Sequence, residues 1–312
     1  MKPSEILCRI FPFSRPELIK YASTCPYRYK RYSIRKRNGR GDRWIAQPSK
    51  DLKVVQRVLL DEYLIERLSL HKCATAYQKG SSILKNAQPH LRNRYLLKMD
   101  FKNFFPSIKI SDFDHYLLTN KIIEEQEERN LVGRIFFMKS ESDYELSIGS
   151  PGSPLISNAL LFDFDKTVFG KCNALGITYT RYSDDLTFTT NTKDILFKWP
   201  GTIREILNEI KSPKLVIHEE KTVFSSKKFN RHVTGITISN EGKASLGRSK
   251  KREIRTRVYL VKKSEPSVKD ILSLRGYISF ARSVEPNFVK SLWKKYPEEM
   301  SMIKEQKIEE KK

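Results

Sequence analysis

The chain has 312 residues, in which 59 Lys and Arg against 36 Asp and Glu leave a formal net charge of +23. That length can bury one large or two modest cores and leaves little room for a second enzyme domain, while the charge points to a polyanionic partner, nucleic acid first, because phosphate contacts release counterions. The four cysteines, Cys8, Cys25, Cys73 and Cys172, form no CxxC pair, which argues against a zinc ribbon or a disulfide framework and for a reduced, cytoplasmic residence. No apolar run reaches about eighteen residues, and Met1-Lys2-Pro3-Ser4-Glu5 lacks the apolar stretch of a secretion signal, so no membrane association is expected.

In chain order, residues 1 to 27 read as a turn and the start of a short helix at Ser14-Arg15-Pro16-Glu17. Arg28 to Arg43 holds eight basic residues and one acid, with alternation on either side of Asn38-Gly39 and Gly41-Asp42, which predicts a basic hairpin. Leu52, Val55, Leu59, Tyr63 and Leu68 recur near helical period and predict a helix over 51 to 70. A second helix is predicted at 81 to 86, capped by Ser81 or Ser82. The run Tyr95-Leu96-Leu97-Lys98-Met99 predicts a strand that ends at Asp100, and Phe104-Phe105-Pro106-Ser107 turns the chain away. Residues 111 to 137 read as mostly helical, with Glu124 to Glu128 as a wet face. A small hairpin at 139 to 148 precedes the Gly- and Pro-rich Gly149-Ser150-Pro151-Gly152-Ser153-Pro154 and a helix from 155 to about 168. A strand, turn, strand unit surrounds Asp184 and Asp185. A short helix at 201 to 211 and an extended segment at 214 to 224 follow, then a strand at 233 to 238 and a basic helical region from 249 to about 295. Residues 297 to 312 read as a polar tail with little to pack. The order predicts an α+β catalytic centre between a basic β element and a basic helical one.

Tyr182-Ser183-Asp184-Asp185 sits between two short apolar runs, and Asp100 closes a third. Three carboxylates at strand ends or turns suit two divalent cations with hard oxygen ligands, the arrangement that phosphoryl or nucleotidyl transfer needs. Side chains of adjacent residues alternate on a strand, but at a tight turn Asp184 can face the ions while Asp185 assists from the side and Asp100 bridges from a neighbouring strand. An isolated Asp-Asp turn is more often an ordinary turn former; the surrounding motifs decide.

Those motifs resemble a reverse transcriptase. Tyr182-Ser183-Asp184-Asp185 is similar to that family's tyrosine-x-aspartate-aspartate box, with serine where alanine is frequent, and residues 98 to 107, Lys-Met-Asp-Phe-Lys-Asn-Phe-Phe-Pro-Ser, are similar to its first metal motif. Residues 149 to 158 resemble its nucleotide and template loop, and Glu220-Lys221-Thr222 its lysine-bearing motif. The likeness covers roughly residues 28 to 240 and implies a right-hand fold: an extension at 1–27, fingers at 28–98, mainly palm at 99–240, a helical thumb at 241–296 and a tail at 297–312, with no ribonuclease H domain. Asn86-Ala87-Gln88-Pro89-His90 and Val233-Thr234-Gly235 further resemble two signatures of bacterial retron enzymes. Ile148 stands where many bacterial members have glutamine.

The likeness implies Asp100, Asp184 and Asp185 as catalytic ligands of two Mg²⁺ ions. It places Phe105 under the sugar of the incoming dNTP, where its ring would collide with a 2′-hydroxyl. Arg40 and Arg43 are candidates to clamp the triphosphate, Lys221 to assist the departing pyrophosphate, and Gly149 and Gly152 to admit nucleotide or template closely. His90 reads physically as a structural hydrogen-bonder, whereas the retron likeness implies that Asn86 and His90, with Val233, Thr234 and Gly235, organise bound RNA. Arg248, Lys250, Lys251, Arg252 and Arg255 lie in a dense positive region, with Lys243 and Arg257, suited to RNA phosphates; the nearby Tyr259, Tyr277 and Phe280 suit stacking or core packing equally. The implied partners are a structured noncoding RNA, its branched RNA–DNA product, dNTPs and a separate effector protein in antiphage defence. A group II intron-like or other defence enzyme, and a catalytically inactive RNA-binding scaffold, remain the alternatives.

Overall fold

The structure is a computed structural model that describes residues 1–35, 41–141, 143–264 and 266–305. The chain divides into two compact units: residues 1–80, 97–188 and 192–223 form the first, and residues 81–96, 189–191 and those from Phe224 onward the second. Residues 81–96, expected within the fingers, thus group with the C-terminal region.

The first unit opens with helices α1 (Pro3–Ile10) and α2 (Arg15–Thr24). Strands β1 (Tyr29–Arg35) and β2 (Asp42–Pro48) form the expected antiparallel hairpin, in register from Tyr29↔Pro48 to Arg35↔Asp42; its Asn38-Gly39 step lies outside the described residues. Helix α3 (Lys50–Leu59) follows and ends in a wider π-type turn over Leu60–Leu64, so the single long helix predicted here stops early. In the second unit, α4 (Ile83–Ala87) is capped by Ser82, whose side chain accepts from Lys85 N at 3.1 Å.

Strand β3 (Tyr95–Asp100) leads to the one-turn helix α5 (Phe104–Ser107). The helix predicted over 111 to 137 is two, α6 (Ile110–Thr119) and α7 (Gln126–Phe136). Glu128 on α7 is not part of a wet face. It is buried, and its carboxylate accepts from Ser4 N at 2.9 Å and Ser4 Oγ at 2.6 Å, satisfying one amide that the first turn of α1 leaves open. The small hairpin β4 (Met138–Lys139) and β5 (Tyr144–Glu145) is present, and helices α8 (Ser153–Leu160) and α9 (Phe162–Ala174) replace the single one expected. Strands β6 (Thr178–Tyr182) and β7 (Asp185–Thr190) flank the two-residue turn, and α10 (Trp199–Glu209) follows.

Strand β8 (Val223–Ser226) completes a sheet of order β6-β7-β3-β8. This order matters most for function, because it makes the Asp100 strand and the Asp185 strand immediate neighbours. The expected single strand at 233 to 238 is a hairpin, β9 (Arg231–Val233) with β10 (Ile236–Ile238), pairing Ile236↔Val233. Thr234 at φ 47° and Gly235 at φ 83° turn the chain between them; glycine adopts that region without strain.

With β11 (Ala244–Ser245), this hairpin packs against α11 (Arg248–Leu260), α12 (Val268–Val284), α13 (Pro286–Lys295) and α14 (Pro297–Glu305). The predicted polar tail is thus helical to Glu305. Met300 and Ile303 are buried in the same core as Val233, Ile254 and Leu274, because the sparse apolar residues of Pro297–Glu305 recur at helical spacing. All four cysteines are free, three of them buried. Among the described residues no helix is long and apolar enough to cross a membrane.

Candidate active site

Main-chain bonds gather the carboxylates. Asp100 ends β3, and the next amide, Phe101 N, donates to Asp184 O at 3.1 Å across the turn. On the other side His218 N donates to Asp100 O at 2.7 Å and Lys102 N to Val216 O at 2.8 Å. This lays the segment after α10 along Asp100 and brings Lys221 Nζ to 2.6 Å from Asp100 Oδ1.

The electrostatics are those of crowded acids. Burial, then the charge of Asp100, raises the Asp184 carboxyl above its ordinary range, against hydrogen bonds from its own backbone and the Ser183 side chain. Burial, then the charge of Asp184, raises Asp185; Lys98 opposes the shift and Asp100 adds to it. Like charges in a partly desolvated site behave in this way. Among the described residues no group of three or more His, Cys, Asp or Glu is gathered closely enough to hold a metal ion. The expected tight seat is therefore not gathered by these side chains as they stand, and Asp100 is ion-paired with Lys221. The donor set itself fits a hard divalent cation: three carboxylates on adjoining strand ends, two held in a form that a nearby positive charge would relieve.

The turn between β6 and β7 is anchored from beneath by residues that the sequence reading passed over. Arg181 is fully buried and donates to Asp165 Oδ2 at 2.6 Å through Nη2, to Asn158 Oδ1 at 3.0 Å and to Ser183 O at 3.0 Å. Asp165 also accepts from Tyr179 OH at 2.9 Å. A guanidinium fork can serve all these acceptors at once, so α8 and α9 are tied to the backbone of the aspartate turn. An arginine within the short strand that leads into the aspartate turn was the available sign.

The other predicted residues distribute as follows. Arg43 is exposed on β2 and lies close enough to Tyr77 to lower that phenol's pKa, against the larger upward push of burial. Arg40 lies outside the described residues. Phe105 is half-buried in α5, 5.2 Å from the Phe104 ring. Gly149 has φ +126°, and a Cβ there would come within 3.2 Å of Ala46 O, beside the Ala46 N to Ile148 O bond of 2.9 Å. A Cβ on Gly152 would meet the Phe136 ring at 2.3 Å. Close approach is required at both glycines, as expected, but by the chain's own hairpin and helix α7.

In the second unit, Asn86 and His90 are buried. Asn86 Nδ2 donates to Thr234 Oγ1 at 3.2 Å, and His90 Nδ1 lies 2.8 Å from Thr189 Oγ1. The asparagine–histidine and valine–threonine–glycine signatures are thereby bonded to each other, and Val233 joins the core. These side chains organise the fold from inside. On α11, Arg248, Arg252 and Arg255 are exposed, Lys251 pairs with Glu285 at 2.9 Å, and Lys250 pairs with Glu253 and sits 3.7 Å from the centre of the Tyr277 ring. Tyr277 and Phe280 pack against the helical core.

Comparison with known proteins agrees with this geometry. The family described as reverse transcriptase (RNA-dependent DNA polymerase) matches residues 34–238. The retron Ec83 reverse transcriptase of Escherichia coli is 40% identical over 274 residues, covering 86% of this chain and 87% of the relative. The retron Ec73 reverse transcriptase of Escherichia coli is 34% identical, covering 88% and 89%, and the retron Ec86 enzyme of the same species is 32% identical, covering 88% and 84%.

Proposed function

The chain belongs to the reverse transcriptase (RNA-dependent DNA polymerase) family, among its retron enzymes, and from that premise we propose that it makes the multicopy single-stranded DNA of a retron from a dedicated structured RNA. The juxtaposition of Asp100 with the Asp184–Asp185 turn on adjoining strands carries this reading.

Asp100, Asp184 and Asp185 are the residues proposed to hold two Mg²⁺ ions. When bound, such ions polarise the α-phosphate and neutralise charge on the leaving pyrophosphate. The chain's own groups do the rest. Lys221, paired with Asp100, is proposed to offer a positive charge and a proton to the departing pyrophosphate; Arg43, with Arg40, is proposed to hold the triphosphate. Phe105 is proposed to exclude a ribose 2′-hydroxyl. Arg181 holds the Ser183 carbonyl and so fixes the turn that presents Asp184. Arg248, Arg252 and Arg255 of α11 offer phosphate contacts to folded RNA, with affinity that falls as salt rises.

The retron assignment further supports priming from the 2′-hydroxyl of an internal guanosine, a branched RNA–DNA product, and a role in antiphage defence with a separate effector protein. Nucleic acid recovered with the cellular complex tests this: sequencing should return one structured RNA joined to DNA through a bond that survives denaturation. Unbranched DNA, or unrelated cellular RNAs without DNA, would reject the retron product. The group II intron-like alternative predicts linear DNA primed elsewhere.

A further inference from the structure

Tyr77 has a φ of 62°, and Ser183, in the turn, has 60°. A bulky residue stays in the left-handed region only when its surroundings hold it there. For Tyr77 they do so visibly. Arg181 N donates to Cys73 O at 2.8 Å, Thr75 N donates to Arg181 O at 2.7 Å, and Asn158 Nδ2 donates to Ala76 O at 2.9 Å. Residues 73–76 are thus pinned along β6, and Tyr77 turns back over the catalytic turn. Its hydroxyl donates to Ser183 Oγ at 3.2 Å, and its ring centre lies 6.4 Å from that of Tyr182. Ser183 carries the chain into Asp184, and its carbonyl accepts from Arg181 Nη1 at 3.0 Å.

We propose that Tyr77 is a positioning residue for the polymerase reaction, holding the turn at Ser183, and with it Asp184, in one orientation. The inference rests on Asp184 being catalytic, as argued above. It concerns this chain's serine in particular, since alanine at 183 offers no acceptor for the Tyr77 hydroxyl. Tyr77 remains 48% exposed. A hydrogen bond so near water adds little to folding, whereas a small error in carboxylate placement acts directly on rate.

The test uses the full chain on oligo(dT)-primed poly(rA) with dTTP and Mg²⁺, comparing Tyr77→Phe, Ser183→Ala and the double variant. Each single change should lower kcat on the order of fivefold, the effect of one neutral hydrogen bond. KM for dTTP and the thermal midpoint should not move. The double variant should be no slower than the slower single one, and amide exchange across 182–185 should quicken in all three without substrate. Unchanged kcat, additive losses, or losses that track a falling midpoint would each overturn the positioning role. Asp184→Asn in the same assay separates the two levels. An active Asp184→Asn defeats both the catalytic reading and the positioning role, whereas an inactive one beside a normal Tyr77→Phe defeats the positioning role alone.

Discussion

Arg181→Met puts the buried support of the catalytic turn to the test. The wild-type guanidinium and the Asp165 carboxylate are both fully buried, 2.6 Å apart. Removing the cation leaves Asp165 with the Tyr179 hydroxyl and strips donors from Asn158 and Ser183 O. Breaking a buried pair in this way costs about 3–5 kcal/mol, most of it from the stranded charge, against total stabilities of roughly 5–15 kcal/mol. With a urea dependence of about 2–3 kcal/mol per molar, the midpoint should fall by ~1–2 M. Adding Asp165→Asn removes the stranded charge and keeps an acceptor for Tyr179, so the double variant should regain part of that loss. A single variant within about 1 kcal/mol of wild type, well short of the cost of a broken buried pair, would refute the reasoning. So would a double variant less stable than the single one.

Phe105→Ala should raise ribonucleotide over deoxynucleotide incorporation roughly tenfold, about 1.4 kcal/mol of discrimination; an unchanged ratio in competition assays would reject the steric role. Burial lowers the His90 pKa to about 3 from an ordinary 6.5, so the unfolded chain takes up a proton that the folded chain refuses. Stability is then fully present above about pH 6.5 and declines below it by ~1.4 kcal/mol per unit. Between pH 7 and 5 wild type should lose about 2 kcal/mol more than His90→Gln in urea titrations, and parallel losses would contradict this. Gly152→Ala should cost about 1–3 kcal/mol, since its Cβ meets the Phe136 ring; an unshifted midpoint would show that the ring moves freely.

The strands around the three aspartates were legible because their signals are local. Alternation and turn residues mark β3, β6 and β7; Asp100 ends β3, Asp185 opens β7 and Asp184 lies in the turn before it. What escaped the sequence was set by tertiary context. Glu128 looked like one of several solvated acids until the first turn of α1 supplied its partners. Gly149 and Gly152 announced close approach, expected toward nucleotide or template, and within the fold their near neighbours are Ala46 and Phe136. Asn86 and Thr234 are 148 residues apart, so no window of sequence could show that the two signatures are bonded. Tyr77 carried no pattern at all; only its backbone angle and its partner single it out.

The account stands or falls on the aspartate turn. Extension of a primed RNA template with dNTPs and Mg²⁺ by Asp184→Asn, measured beside RNA binding by the same preparation, tests it most directly. The prediction is near-abolished DNA synthesis with RNA affinity largely kept, and extension at the wild-type rate would contradict it.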